Sequence, residues 1–360
     1  MSHKISIAVA LSGGVDSSLS AWLLKEAGYK VKGLTLDLLG GEQTQAAART
    51  AAELDMELKV IDARQEFSRL VIRPTAGAYG QGLTPNPCVV CNARLKLPFL
   101  WEHAHDMGCN MLATGHYARL VQHDGRRLLA EGVDAAKSQA YFLARVEQEL
   151  LEHLMFPLGD KTKEQVRQLA QAKGLSAAQS RESQDCCFVP PEGFGPLVER
   201  YAEVRPGIIE NSQGRILARH QGLHKFTIGQ RRGLNISADR PLYVTALDKQ
   251  RAAVRVGYAE NLLQKRVRGE QALWYMRPDA NKPLSVRIRY ARQGHMGRVL
   301  EMDGHNLLVE LEEACRGVAP GQLMVFNQGD LLVGSAWISP LSFNDPPPAP
   351  LAGDAGGSSC

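Results

Sequence analysis

The chain has 360 residues, of which 44% are hydrophobic and 22% charged, and a net charge of +4. That length exceeds one compact core and implies two or three domains, while the ordinary composition excludes a fibrous or wholly disordered chain. No apolar run approaches the roughly 20 residues that span a bilayer, and the opening Met1-Ser2-His3-Lys4 lacks a signal-peptide pattern, so a cytoplasmic protein with no membrane partner is expected.

In chain order, residues 5–11 read as a continuous buried strand and 15–27 as an amphipathic helix. A second strand over 31–36, an Ala-rich helix over 43–54, a third strand over 58–62 and a helix over 66–79 follow. Beyond Pro85-Asn86-Pro87, a helix over 93–107 leads into a strand over 110–114. Repeated strand–helix alternation predicts an α/β fold, a doubly wound parallel sheet with helices on both faces. Helix returns over 149–174, broken at Phe156-Pro157-Leu158-Gly159. From about residue 205 short β-rich runs at 242–246, 253–256, 286–290 and 306–309 predict two small β domains. The expected boundaries are 1–204, 205–268 and 269–343, with a Pro/Gly/Ala/Ser-rich tail over 344–360 expected to be disordered.

Charge is more informative locally than globally. Between Arg215 and Arg232, and again between Lys282 and Arg298, the bases Arg215, Arg219, Lys225, Arg231, Arg232 and Lys282, Arg287, Arg289, Arg292, Arg298 meet no carboxylate. Such stretches suit a phosphate backbone as well as the solvated face of a β-hairpin.

The string Ser12-Gly13-Gly14-Val15-Asp16-Ser17-Ser18 follows the first strand and opens a helix. Backbone N–H groups and the helix dipole form an anion cradle there. Ser12, Ser17 and Ser18 can add hydroxyl donors, and Asp16 is placed to bind Mg²⁺ bridging phosphate oxygens. No lysine follows the second glycine, so this is not a Walker A loop. The string resembles the loop of the ATP pyrophosphatases (PP-loop enzymes), which cleave ATP between its α and β phosphates to adenylylate a carbonyl oxygen. That resemblance implies ATP contacts by Ala10, Leu11, Ser12, Gly13, Gly14, Val15, Asp16, Ser17, Leu36 and Gly115. His116, beside Gly115, is either a site residue or a structural neighbour.

Seven cysteines, an odd number, in a chain without a secretion pattern argue against a disulfide framework. Cys88 and Cys91 sit at C-x-x-C spacing after the Pro loop and at a helix start, where thiol pKa falls. Cys186 and Cys187 form a second pair, whose adjacency does not suit tetrahedral zinc. Together with Ala113-Thr114-Gly115-His116-Tyr117-Ala118-Arg119, Phe156-Pro157-Leu158-Gly159, His220-Gln221-Gly222-Leu223, Thr227-Ile228-Gly229-Gln230-Arg231-Arg232-Gly233-Leu234 and Arg289-Tyr290, these segments resemble the tRNA-specific 2-thiouridylase family over nearly the whole chain.

The resemblance implies ATP-dependent replacement of the 2-oxygen of a tRNA wobble uridine by sulfur. Cys91 takes the nucleophile position and Cys187 the position that carries a persulfide. Asn86, Lys137, Gln139, Arg289 and Tyr290 match positions that contact tRNA near the target base. The implied partners are tRNA and a sulfur donor: a cysteine desulfurase, a sulfur relay protein or inorganic sulfide. Many members carry Asp where this chain has Cys88, so Cys88, Cys91 and Cys187 would alternatively hold a 4Fe–4S cluster with one open iron. Leu36-Asp37-Leu38-Leu39 and Lys137-Ser138-Gln139-Ala140 also depart from the family's Met-Lys-Asn-Trp and Lys-Asp-Gln-Ser. Two competing readings stay open. An amidating synthetase with the same loop would survive Cys91→Ser, and an inactive tRNA-binding or sulfur-carrying homologue would not release pyrophosphate when given tRNA.

Overall fold

The structure is a computed structural model, and it describes residues 5–180, 186–278, 284–290 and 293–340. Its strands begin with β1 (Ser6–Ala10), β2 (Lys30–Asp37), β3 (Leu58–Asp62) and β4 (Met111–Ala113). A hairpin, β5 (Ala118–His123) and β6 (Arg126–Glu131), precedes β7 (Leu154–Met155). Strands β1, β2, β3, β4 and β7 form a parallel sheet in the order β3-β2-β1-β4-β7. Ile7, Ala8 and Val9 of the central β1 are fully buried, as expected of a strand covered on both faces. The chain runs outward through β2 and β3, then returns to the other side of β1 as β4. Ligands of doubly wound sheets bind at that reversal, beyond the carboxyl ends of the strands.

The region expected as one helix over 66–79 is helix Arg64–Phe67, a π-helical stretch Ser68–Ile72 and helix Arg73–Gly80. The helix expected over 93–107 likewise begins with a π-helical stretch, Asn92–Lys96, between helices Pro87–Cys91 and Leu97–Asp106. Widened turns of this kind re-aim side chains along a helix and cluster at functional sites. Here the second one turns Lys96 towards the carboxyl edge of the sheet.

A four-stranded sheet follows: β8 (Gly207–Glu210), β9 (Ile216–His220), β10 (Tyr243–Asp248) and β11 (Ala253–Gly257), ordered β10-β11-β8-β9. The last six strands are β12 (Gln264–Trp274), β13 (Leu284–Arg287), β14 (His295–Asp303), β15 (Asn306–Cys315), β16 (Leu323–Gln328) and β17 (Leu331–Ile338). They run β12-β15-β14-β13-β16-β17, and β17 pairs back onto β12 to close a barrel. Closure removes both sheet edges.

The barrel docks on the parallel-sheet unit through directed contacts. Leu331 of β17 pairs with Ala130 of β6. Tyr141 Oη donates to Leu323 O (2.8 Å), Tyr275 Oη to Val146 O (2.6 Å) and Ser335 Oγ to Ala144 O (2.6 Å). Arg287, expected as part of an acid-free basic stretch, is buried and ion-paired with Glu131. Arg298 pairs with Glu310. Strand β13 stops at Arg287, so Arg289 and Tyr290 leave the sheet and are exposed. Lys282, Arg292 and the tail over 344–360 lie outside the described residues. Among the described residues no helix is long and apolar enough to cross a membrane.

Candidate active site

A cavity of about 220 Å³ opens at the carboxyl edge of β1, β2 and β4. Ala10, Leu11, Ser12, Asp16, Ser17, Leu36 and Gly115, all expected from the sequence, line it. Gly13, Gly14 and Val15 do not. Val15 is buried in the core. Gly13, at φ +77°, lies against the Glu42–Glu53 helix so closely that a Cβ would sit 2.3 Å from Ala46 Cβ. Only glycine fits that position. Gly115 is equally constrained, because a Cβ there would lie 2.9 Å from the Asp16 carbonyl carbon and 3.0 Å from Ser17 N.

Short hydrogen bonds hold the loop. Ser12 N donates to Ser17 Oγ (3.2 Å), and Ser17 Oγ donates to Gly14 O (3.1 Å). Ser18, expected among the hydroxyl donors, instead is fully buried, donates to Gly14 O (3.0 Å) and meets Thr50 Oγ1 (3.1 Å). Its role is to fix the loop.

Asp16 has partners the sequence did not announce. Lys163 Nζ donates to both of its carboxylate oxygens, at 2.7 and 2.8 Å, and Tyr117 Oη donates to Oδ1 at 2.7 Å. Lys163 opens the Lys163–Ala172 helix, is 8% exposed, and sits behind a Thr162/Gln165 capping box. Three of roughly four acceptor positions on the carboxylate are therefore taken. In this arrangement Asp16 does not fit an inner-sphere Mg²⁺, which would have to displace Lys163. One signal pointed towards such a residue: the loop lacks the lysine of a Walker loop, so a compensating cation has to come from another element.

Lys96 also lines the cavity. Its Nζ lies 3.3 Å from His116 Nε2, and His116 Nδ1 lies 2.7 Å from Thr114 Oγ1. Desolvation, and then the Lys96 ammonium, hold His116 well below the usual imidazole range. The neutral ring accepts from Lys96 through Nε2 and donates to Thr114 through Nδ1. His116 is thus the support of Lys96. Gln139, expected near the target base, lines the same cavity, and its Oε1 accepts from Tyr117 N (3.0 Å).

The same Lys96 charge reaches the thiols. Cys88 and Cys91 occupy the Pro87–Cys91 helix, with Asn86 buried at its N-cap. Cys186 and Cys187 stand opposite them. Cys88 Sγ lies 3.5 Å from Cys186 Sγ, and that contact draws the Cys88 thiol down to about 7. Burial pushes Cys91 up to about 11 and raises Cys187, while in each case Lys96 acts in the opposite sense. Cys187 is the exposed member of the set. Asp185, Gln184 and Ser183 lie outside the described residues.

Cys88 thus faces Cys186, and among the described residues no three His, Cys, Asp or Glu side chains are grouped as metal ligands. A cluster on Cys88, Cys91 and Cys187 is therefore not shown among the described residues.

Beyond the thiols, the Tyr290 ring packs on Phe142 with centroids 4.5 Å apart, and on Tyr141 at 5.9 Å. Tyr290 stays 45% exposed, so one face of this aromatic cluster remains open to solvent. Arg289 is exposed beside it, while Lys137 is half-buried on the segment that carries Gln139.

Three family models match in succession. They are the tRNA methyl transferase HUP domain over residues 5–191, the tRNA methyl transferase PRC-barrel domain over 196–258, and the aminomethyltransferase beta-barrel domain over 264–338. Curated relatives span nearly the whole chain. A tRNA-specific 2-thiouridylase MnmA of Moorella thermoacetica is 41% identical, covering 92% of this chain and 98% of its own length. Those of Syntrophomonas wolfei and Syntrophotalea carbinolica are 40% and 39% identical, with 92% of this chain and 99% and 98% of theirs covered. With the PP-loop cavity and the facing cysteine pairs in place, the chain belongs to the tRNA-specific 2-thiouridylase (MnmA) family.

Proposed function

We propose that this protein thiolates tRNA, replacing the 2-oxygen of the wobble uridine with sulfur at the expense of ATP. The observation that carries the reading is Lys96, which lines the nucleotide cavity and acts electrostatically on Cys88, Cys91 and Cys187. One charge thereby joins an adenylylating site to a sulfur-transfer site.

In the first step O2 of the base attacks the α-phosphorus of ATP, and pyrophosphate leaves. The loop N–H groups and Ser12 cradle the phosphates, and Gly115 lets the nucleotide lie against the strand ends. A target base must leave its stack to react. Asn86, Lys137, Arg289 and Tyr290 hold the anticodon loop, with Tyr290 supplying a stacking face.

In the second step the terminal sulfur of a Cys187 persulfide attacks C2 of the adenylated base, and AMP leaves. Cys91 then attacks Cys187 Sγ, which releases the thiolated base and leaves a Cys91–Cys187 disulfide. Equivalently, Cys91 first releases hydrosulfide, and hydrosulfide attacks C2. Both routes consume one persulfide and end in the same disulfide, which a reductant opens. A cysteine desulfurase or a relay protein, each carrying sulfane sulfur, reloads the reduced Cys187, whereas inorganic sulfide reloads it by attacking Cys187 Sγ of the Cys91–Cys187 disulfide, which releases Cys91 as the thiol and leaves the persulfide on Cys187.

The test is nucleoside mass analysis of tRNA from a deletion strain, with and without the gene restored. Loss and recovery of 2-thiouridine are expected. Unchanged 2-thiouridine refutes the reading, and retained activity of Cys91→Ser with ammonia as donor would reassign the chain to the amidating class.

A further inference from the structure

The thiols stand as two facing pairs rather than as one catalytic pair with bystanders. Cys88 and Cys91 are three residues apart on one helix and therefore share a face. Cys186 and Cys187 are neighbours on the opposing segment, which Phe188 anchors by an edge-to-face contact with the buried Phe67 (centroids 5.5 Å apart). Cys88 Sγ meets Cys186 Sγ at 3.5 Å, while the charges of Cys88 and Cys187 both act on Cys91, and that of Cys88 acts on Cys187. A disulfide needs the sulfurs at about 2.05 Å, so closing the Cys88–Cys186 contact asks for a small rotation of two side chains. Nothing in the thiolation chemistry above uses either residue.

We propose that Cys88 and Cys186 form a second dithiol, through which electrons from an external dithiol reductant reopen the Cys91–Cys187 disulfide left by sulfur transfer. The inference rests on the thiolation reading for the origin of that disulfide. The exchange balances in two steps. Cys88 thiolate attacks Cys187 Sγ, forming a Cys88–Cys187 bond and releasing Cys91, which takes up a proton. Cys186 thiolate then attacks Cys88 Sγ, forming Cys88–Cys186 and releasing Cys187, which is protonated in turn. The catalytic pair gains two electrons and two protons, and Cys88–Cys186 gives them up. The external dithiol then reduces Cys88–Cys186 and leaves as its own disulfide. A Cys88 thiol held at about 7 is an effective attacking group near neutral pH, because thiol–disulfide exchange is fastest when the attacking pKa lies near ambient pH.

The test is an anaerobic redox titration of the full-length protein in glutathione buffers, quenched by alkylation and mapped by non-reducing peptide mass analysis. The expected one-disulfide species of the wild type carries Cys88–Cys186. In Cys186→Ser the bond is expected at Cys91–Cys187, and Cys88→Ser gives the same result through an independent substitution. The dithiol is overturned if the wild-type species carries only Cys91–Cys187 while Cys88 and Cys186 alkylate at every potential. It is equally overturned if the anaerobic protein carries iron and labile sulfide on Cys88.

A multiple-turnover thiolation assay on the same preparations, with limiting dithiol reductant, separates the two ideas. Product formation whose dependence on reductant is the same in Cys186→Ser as in wild type overturns the relay. No 2-thiouridine from a protein that still forms Cys88–Cys186 refutes the thiolation reading and supports the dithiol as a property of the fold.

Discussion

Gly115→Ala isolates the close approach between strand β4 and the phosphate loop. The added Cβ would lie 2.9 Å from the Asp16 carbonyl carbon, 3.0 Å from Ser17 N and 3.1 Å from Asp16 Cβ. Ordinary contact begins near 3.4 Å, so something must move by about 0.5 Å, a misplacement of the scale that costs reaction geometry dearly. Strand β4 lies between β1 and β7 and cannot yield. The neighbours to be displaced are backbone atoms of the first turn of the Val15–Glu26 helix, which also shapes the cavity. Overpacking of this kind costs about 1–3 kcal/mol. If the loop relieves it by shifting, ATP affinity falls by the same amount, roughly 5- to 150-fold. Calorimetric titration with ATP and pyrophosphate exchange should both show the loss. Gly77→Ala is the matched control, since Gly77 is helical and a Cβ there meets nothing within 4 Å. The reasoning is refuted if Gly115→Ala binds ATP within a factor of two of wild type.

Other outcomes follow from the same contacts. Lys163→Met leaves Asp16 without its ion-pair partner; removing one partner of a buried pair costs about 3–5 kcal/mol, reduced to about 1–3 here because the Asp16 side chain is one-third exposed. Thermal unfolding of Lys163→Met, Asp16→Asn and the double variant should reveal a coupling, and strictly additive losses would sink the ion-pair account. Thiol reactivity should split by pH. The thiolate fraction of Cys88 grows as pH rises through about 7, whereas Cys91 stays protonated until about 11; iodoacetamide labelling at pH 7.5 should therefore mark Cys88 well before Cys91, and the opposite order contradicts the assignment. Tyr290→Ala removes a stacking face worth about 1–3 kcal/mol per base, so KM for tRNA should rise roughly 5- to 150-fold, and an unaltered KM removes Tyr290 from the tRNA surface.

Periodicity made the parallel sheet legible because β1 is apolar without alternation, as a strand buried on both faces must be. The residues 58–62 expected as a strand are β3. The hairpin β5–β6 carries a local signal that the strand–helix alternation masks. Asp124 and Gly125, both at positive φ, are the Asp-Gly pair of a two-residue hairpin turn. What hid it was position: in an α/β alternation a helix is expected after β4, and an antiparallel hairpin that reaches out to the barrel breaks that pattern. The β-rich run expected over 286–290 ends early: β13 stops at Arg287, whose guanidinium is buried against Glu131 while Arg289 is exposed.

The nucleotide loop and the identity of the thiols are legible from short stretches of residues, because both are local. A strand–Gly-Gly–helix turn forms its anion cradle from its own backbone, and C-x-x-C spacing places two thiols on one helical face. What those groups meet depends instead on packing between distant segments. Lys163 reaches Asp16 across 147 positions and Cys186 reaches Cys88 across 98, separations over which no residue period carries information. The pairing of Cys88 with Cys186, and the placing of Lys96 between ATP cavity and thiols, exist because helix Pro87–Cys91, its π-helical continuation and β4 pack around one edge of a sheet.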